Sequence, residues 1–347
     1  MDVLITHPED ERHLVAEVAR RYGRAQMETV LPGVLAVTGL DWGAAPPVVV
    51  FARQAMMEAR NVRAVSIREW AERILEVIPG LFGSEDAAPW RLHVWPRYGE
   101  GTAGRQRCEW IVEAVREALG RRQRVRRRSL GKDGLPFTPE EGLIQLLLTA
   151  PDQGFLSVDP APGPHSRRAL LSGFPGGEIP VAVDKSAPSR AFAKLLEAEL
   201  RLGHRIETGE SCVDLGACPG SWTYVALNRG ARVVAVDRSA LREDLMRHPR
   251  LTFRSGDAFA FEPEARVDWL LCDVIAAPER SLGLVRTWLK SGWCRKFVVT
   301  IKFKGTSGYA LLDALPEELR SSCSDFRVTR LCANRNEACV AGVAGLP

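Results

Sequence analysis

The chain has 347 residues, 46% hydrophobic and 26% charged, and carries a formal net charge of +4. That length predicts two or three domains with real cores, and the mild positive charge permits a nucleic-acid partner without demanding one. The composition speaks against other classes: eight scattered cysteines with no C-x-x-C pair weaken zinc and disulfide frameworks, and there is no basic-then-apolar leader and no apolar run of membrane-spanning length, so a soluble, reduced, cytoplasmic protein is expected.

In chain order, residues 1 to about 80 alternate short apolar runs with amphipathic stretches. Leu31 to Val37 and Val48 to Phe51 read as strands, and His13 to Tyr22 and Ile67 to Ile78 as helices, giving a small α+β unit. Residues 80–89 read as a linker. In the second unit Arg91 to Trp95 reads as a strand, about Arg105 to Leu119 as a helix, Pro139 to Leu148 as a helix and Gly154 to Val158 as a strand. Between them lie Arg121, Arg122, Arg124, Arg126, Arg127, Arg128 and Lys132 with no acid among them. Such a run is either a solvated loop or a phosphate-binding surface. The predicted domains are 1–85, 86–180 and 184–347.

The third unit opens with a helix capped by Ser189 and running to Leu202. Strands follow at Cys212 to Leu215, Arg232 to Val236, Leu251 to Arg254, Val267 to Cys272, Phe297 to Phe303, Phe326 to Cys332 and Ala338 to Val343, the earlier ones separated by helices. This βαβ alternation predicts a mostly parallel sheet, and the short last connection forces an antiparallel terminal pair. That is the α/β, Rossmann-like architecture of class I methyltransferases using S-adenosylmethionine, rather than of dehydrogenases.

The polar residues at the strand ends carry the chemistry. Asp214, Gly216, Cys218, Pro219, Gly220 and Ser221 form the turn after the first of these strands. It lacks the G-x-G-x-x-G spacing that cradles a pyrophosphate, and suits S-adenosylmethionine; an empty tight turn is the alternative. Glycine is expected there because the backbone approaches the ligand closely. Cys218 is expected to be a small buried side chain rather than a nucleophile. Asp237 is placed to accept from a ribose diol, and Asp257 either to accept from an adenine amino group or to cap a helix. Around Asp273 the chain has neither the Asp/Asn-Pro-Pro-aromatic of base-nitrogen methylation nor the Pro-Cys of pyrimidine carbon-5 methylation, and Cys272 is expected in the core.

Lys302 ends a buried strand, an expensive place for an ammonium without partners. Lys194, Asp273, Lys302 and Glu337 together suggest a Lys-Asp-Lys-Glu constellation. A lysine whose pKa is lowered by a second cation is suited to take the proton of a ribose 2′-hydroxyl, with no metal required.

These residues are similar to a known family. APSRAFAKLLEA (187–198), VDLGACPGSWTY (213–224), VDRSAL (236–241), GDAF (256–259), LLCDV (270–274), WLKSGWCRKFVVTIK (288–302) and NRNEACV (334–340) resemble the RlmM family of bacterial 23S ribosomal RNA 2′-O-ribose methyltransferases, related in catalytic domain to the FtsJ type. The resemblance is close in the third unit and looser before it, where the first two units look like a ferredoxin-like domain and a THUMP RNA-binding domain. It implies S-adenosylmethionine as methyl donor, a cytidine in the peptidyl-transferase region of 23S rRNA as substrate, and rRNA or its precursor as partner. It places Cys218, Pro219, Gly220, Ser221, Asp237, Asp257 and Asp273 on the cofactor, with Lys302 as proton acceptor. Ser221 and Ala191 depart from the family's usual Gly and Ser, which bears on cofactor affinity. Other readings are a 2′-O-methyltransferase of another RNA such as tRNA, or a catalytically silent RNA-binding assembly factor. The oligomeric state is left open, with a monomer favoured.

Overall fold

The computed structural model describes residues 1–42, 48–81, 88–131, 141–160, 170–304, 308–333 and 335–345. The chain divides into two compact units, Met1–Ile179 and Pro180–Pro347.

The first unit holds two four-stranded sheets. In the first, β1 (Asp2–Ile5), β2 (Gln26–Leu31), β3 (Val34–Thr38) and β4 (Gln54–Met56) pair antiparallel in the order β2-β3-β1-β4, with α1 (Glu11–Arg21) between β1 and β2. The single strand expected over Leu31 to Val37 is a hairpin. Gly33 turns it at φ +77, and a Cβ there would lie 2.6 Å from the Thr6 carbonyl oxygen. The strand expected over Val48 to Phe51 does not form, because another acceptor takes its backbone: the buried Glu17 carboxylate receives the N–H groups of Val50 and Phe51 at 2.8 and 3.1 Å. A ferredoxin-like unit has a second helix between β3 and β4; among the described residues there is none.

The second sheet has the order β5-β8-β7-β6, from β5 (Arg60–Arg63), β6 (Trp90–Pro96), β7 (Gly142–Ala150) and β8 (Gln153–Asp159). On one face lie α2 (Ile67–Val77) and α3 (Arg105–Arg122), the latter followed by the short α4 (Arg124–Ser129). Ser66 starts α2 by accepting the Glu69 N–H at 3.1 Å, and Glu69 reaches back to the Val65 N–H at 2.9 Å. Two expectations fail here. The boundary near residue 85 is too late, since β5 and α2 share their core with Trp90 on β6, Ile144 on β7 and Ile111 on α3. The helix expected to Leu148 is instead β7; its expected start, 139–140, lies outside the described residues. The apolar run reads LIQLLLTA because β7 is internal and covered on both faces. Ile144, Leu146 and Leu148 pack under the helices, while Leu147 meets Val3, Ile5 and Met56 of the first sheet.

The second unit is one seven-stranded sheet with the order β11-β10-β9-β12-β13-β15-β14. Its elements are α5 (Phe192–Leu202), β9 (Ser211–Leu215), α6 (Ser221–Asn228), β10 (Arg232–Asp237), α7 (Glu243–Met246), β11 (Leu251–Ser255), β12 (Val267–Cys272), α8 (Pro278–Lys290), β13 (Cys294–Lys302), α9 (Leu315–Ser322), β14 (Cys323–Thr329) and β15 (Glu337–Ala344). All pairings are parallel except the two that β15 makes. The seven strands and the terminal antiparallel pair are those expected from the sequence; β14 begins and ends three residues earlier. No helix among the described residues is long and apolar enough to cross a membrane.

Candidate functional site

Strand order reverses at β9: the chain runs outward through β10 and β11, then returns to place β12 on the other side. Parallel neighbours whose connections diverge leave a crevice at their carboxyl ends. The turn after β9 lines it. Gly216 has φ +72 and Gly220 φ +106, a region L side chains avoid. Packing by itself asks for glycine at both positions: a Cβ on Gly216 would lie 2.8 Å from the Val274 Cβ, and one on Gly220 2.5 Å from the Leu245 Cδ1. Gly216→Ala is therefore expected to cost about 2–3 kcal/mol in denaturant unfolding and to weaken cofactor binding, which calorimetry would measure.

Asp214, the last polar residue of β9, is buried, and its Oδ2 accepts the Thr223 N–H at 2.9 Å and hydroxyl at 2.6 Å. It ties β9 to α6 beneath the turn and lines the larger cavity of the crevice. Burial pushes its carboxyl up to about 7, against the pull of the Thr223 hydrogen bonds. The folded state thus holds a proton that the unfolded chain has lost above the ordinary carboxyl value of 3.8. That stability is complete below the unfolded value and lost as pH rises through 7. Asp214→Asn is expected to flatten the fall in urea midpoint over that interval.

Two adjoining cavities, of ≈ 450 and ≈ 180 Å³, occupy the crevice. Asp237 borders both. Its carboxylate is held by the Cys218 N–H at 3.0 Å and the Ser239 N–H at 2.8 Å, a fixed acceptor at the junction. Cys218, expected buried, is exposed; burial of its sulfur atom's surroundings and then the nearby Asp237 raise its thiol above the ordinary value, which leaves it a poor nucleophile. Cys272 is in the core as expected, its thiol pushed up to about 12 by burial. Pro219 and Ser221 line the larger cavity, where the Ser221 and Ser189 hydroxyls pair at 2.7 Å. Ala191 lies beside them, its carbonyl accepting from the Trp222 indole at 2.9 Å.

Asp257 borders the smaller cavity and caps a one-turn helix, accepting the Phe259 N–H at 3.0 Å. Its other oxygen takes Arg238 at 3.0 Å and Arg280 at 3.2 Å. The Phe259 hydrogen bond, then these arginines, hold its carboxyl below the ordinary range. Arg280 also lies 3.9 Å from the Phe259 ring centre.

At the open side the four predicted residues form a closed ring. Lys194 Nζ is 3.2 Å from both Asp273 oxygens and 2.5 Å from Glu337 Oε1; Lys302 Nζ is 2.8 Å from Asp273 Oδ1 and 3.3 Å from Glu337 Oε2. Register explains half of this. Lys302 on β13 stands directly opposite Glu337 on β15, and a slip of one residue would put an alanine there and turn the side chains over. The side chain of Lys302 is 21% exposed and that of Glu337 6%. Desolvation opposes charge on Lys302, but Asp273 and then Glu337 outweigh it and hold its pKa above the ordinary lysine value. The expected lowering by a second cation is thus overturned, because each lysine faces two carboxylates. Sequence reasoning missed Thr300, whose hydroxyl donates to Asp273 Oδ1 at 2.6 Å. It lies two residues before Lys302, hence on the same face, and a hydroxyl inside VVTIK was its signal.

The arginine run is helical rather than a loop. Arg121, in the last turn of α3, pairs with Glu117 at 3.0 Å; Arg124, Arg127 and Arg128 on α4 are exposed, and Arg126 is half-buried. The Arg122 side chain and Lys132 lie outside the described residues. No group of three or more metal-ligating side chains occurs among the described residues.

This geometry can be set beside known proteins. Residues 187–297 match the FtsJ-like methyltransferase family. That stretch includes Lys194, the glycine turn and Asp273, and ends before Lys302 and Glu337. The ribosomal RNA large subunit methyltransferase M of Halorhodospira halophila (strain DSM 244 / SL1) is 30% identical over 260 residues, covering 74% of this chain and 69% of that protein. The protein of the same name from Alkalilimnicola ehrlichii (strain ATCC BAA-1101 / DSM 17681 / MLHE-1) is 33% identical over 263 residues, 74% of this chain and 68% of its own length. That from Azotobacter vinelandii (strain DJ / ATCC BAA-1303) is 34% identical over 205 residues, with 57% and 56% covered. An FtsJ-like segment inside the seven-stranded sheet, and relatives matched over two thirds of their length, place the chain in the ribosomal RNA large subunit methyltransferase M family, whose cofactor is S-adenosylmethionine.

Proposed function

We propose that this chain methylates the ribose 2′-oxygen of a cytidine in the peptidyl-transferase region of 23S rRNA, with Lys302 accepting the hydroxyl proton. The observation that carries the reading is the ring of Lys194, Asp273, Lys302 and Glu337 beside the larger cavity. The cavities fit the cofactor: two adjoining spaces with a fixed carboxylate at their junction match a nucleoside and its diol. Asp237 would hold the ribose, Asp257 would border the adenine, and Ser221 with Pro219 and Gly220 would line the amino-acid end. The cofactor supplies a methyl group on a positively charged sulfonium.

The remaining chemistry belongs to the chain. A ribose hydroxyl attacks well only as it loses its proton, so a positioned amine is needed beside it. Lys302 rests as an ammonium between Asp273 and Glu337; a further positive charge brought into the site opposes that charge and favours the neutral amine. Lys194 neutralises the two carboxylates, so they orient Lys302 without leaving the site anionic. The absence of Asp/Asn-Pro-Pro-aromatic or Pro-Cys motifs after β12 directs the reaction away from the bases. In this proposal the first unit holds the RNA, as a ferredoxin-like sheet followed from β5 by a THUMP-like sheet. Arg121, Arg124, Arg126, Arg127 and Arg128, with Arg122 and Lys132, would meet phosphates.

The test is methyl transfer from labelled S-adenosylmethionine to unmodified 23S rRNA, with nuclease mapping of the product. Label on a cytidine 2′-oxygen supports the reading. Label on a base, or transfer to tRNA alone, overturns it, and cofactor binding without transfer to any RNA points to an assembly factor.

A further inference from the structure

The site leaves one polar residue beside the ring without a role. Asn336 precedes Glu337, at the point where β15 begins opposite the end of β13. Its carbonyl accepts the Phe303 N–H at 3.0 Å, and its side-chain Nδ2 donates to the Phe303 carbonyl at 2.8 Å. One residue thereby grips both backbone groups of the residue that follows Lys302. Its Oδ1 accepts from the Tyr309 hydroxyl, and the Tyr309 ring packs on Phe303 with centroids 4.4 Å apart.

We propose that Asn336 is a positioning residue for Lys302, clamping the end of β13 to the start of β15 so that the lysine and Glu337 keep their mutual reach. The inference rests on the reading that Lys302 accepts the substrate proton. The physical case is one of lever arms. Lys302 and Glu337 are the last paired residues of these strands, closed by the Phe303 N–H to Asn336 carbonyl bond, and a strand end released there frays first. Asn336 supplies a donor and an acceptor from one short amide, a combination that aspartate lacks. Phe303 is 6% exposed and Tyr309 7%, so the lock is packed as well as hydrogen-bonded. A shift of about 1 Å in the lysine is enough to cost catalysis on the order of 100-fold.

The charged groups facing Lys302 are Asp273 at the end of β12, Glu337 on β15 and, across those carboxylates, Lys194 on α5. If the clamp is released, Glu337 moves off Lys302 with the start of β15 while Asp273 stays, because Lys194 reaches both carboxylates but the Thr300 hydroxyl holds Asp273 alone. The lysine then loses one of the two anions that favour its charge.

The experiment is single-turnover methyl transfer to 23S rRNA across pH by the full chain and by Asn336→Ala, Asn336→Asp, Tyr309→Phe and Lys302→Ala. The expected result is a rate lowered roughly thirtyfold in both Asn336 variants, with cofactor Kd within about twofold of the parent. The rising limb of the pH–rate profile should move to lower pH by about half a unit in Asn336→Ala, and Tyr309→Phe should lie between it and the parent. Parent-like rates and profiles in both Asn336 variants, with Lys302→Ala inactive, overturn the positioning role and leave the proton acceptor standing. Full activity in Lys302→Ala, or methylation of a base, overturns the parent reading and this inference with it. Loss of cofactor binding in step with rate in Tyr309→Phe and Asn336→Ala alike shows general unfolding and also overturns it.

Discussion

Lys302→Ala is expected to lower methyl transfer about 10³-fold at pH 7 while leaving cofactor affinity within a few-fold of the parent, the size of effect usual for a positioned general base. The variant removes the amine and keeps the cavity walls. The pH dependence of the parent gives an independent reading of the same group. Lys302 is held above the ordinary lysine value by Asp273 and Glu337 in spite of its burial, so near neutral pH its neutral form is scarce. The rate should therefore rise with pH, about tenfold per unit, until another step limits turnover. In Lys302→Ala that limb should vanish. A parent rate independent of pH between 6 and 9, measured in single turnover, would show that the proton leaves by another route.

Asp273→Asn is expected to have the second-largest effect, and on two properties at once. Asp273 is the hub of the ring, taking Lys194, Lys302 and the Thr300 hydroxyl. Its side chain is 16% exposed and those of its lysine partners 12% and 21%. Neutralising it leaves two part-buried ammonium groups facing Glu337 alone, a loss of about 3 kcal/mol in chemical denaturation. Activity should fall about 100-fold, because the lysine loses its direction as well as its partner. Asp273→Glu, which keeps the charge but moves it, separates the two: stability should largely return and rate should not. Equal recovery of both would show that charge alone matters there.

Much of the second unit was legible in the sequence because its signals are local. Short apolar runs separated by helical stretches predict parallel strands, and a link of only a few residues, Ala333 to Glu337, between the last two predicts an antiparallel pair. Asp237, Asp273 and Lys302 were legible because each stands at the end of a strand, where a polar group is costly unless it is used; Glu337 starts a strand and Lys194 lies on α5. The first unit was less legible. Its strands are short, and β7 shows no alternation because both of its faces are covered, so it reads as a helix. The Val48 to Phe51 stretch looks like a strand until Glu17, more than thirty residues earlier in sequence, is seen to take its N–H groups. No periodicity in a single window records that competition.

Within the ring the same division holds. The residue types and their strand-end positions follow from the sequence alone, and so does the inference that two lysines and two carboxylates act together. Tertiary structure decided what they do to one another. Register set Lys302 against Glu337, Asp273 was placed within reach of both lysines, and the sign of the Lys302 shift followed from the two carboxylates in contact with it. Electrostatic interaction falls with distance, and distance between residues far apart in the chain is a property of the fold, so the sequence names the charges and only the folded chain ranks them.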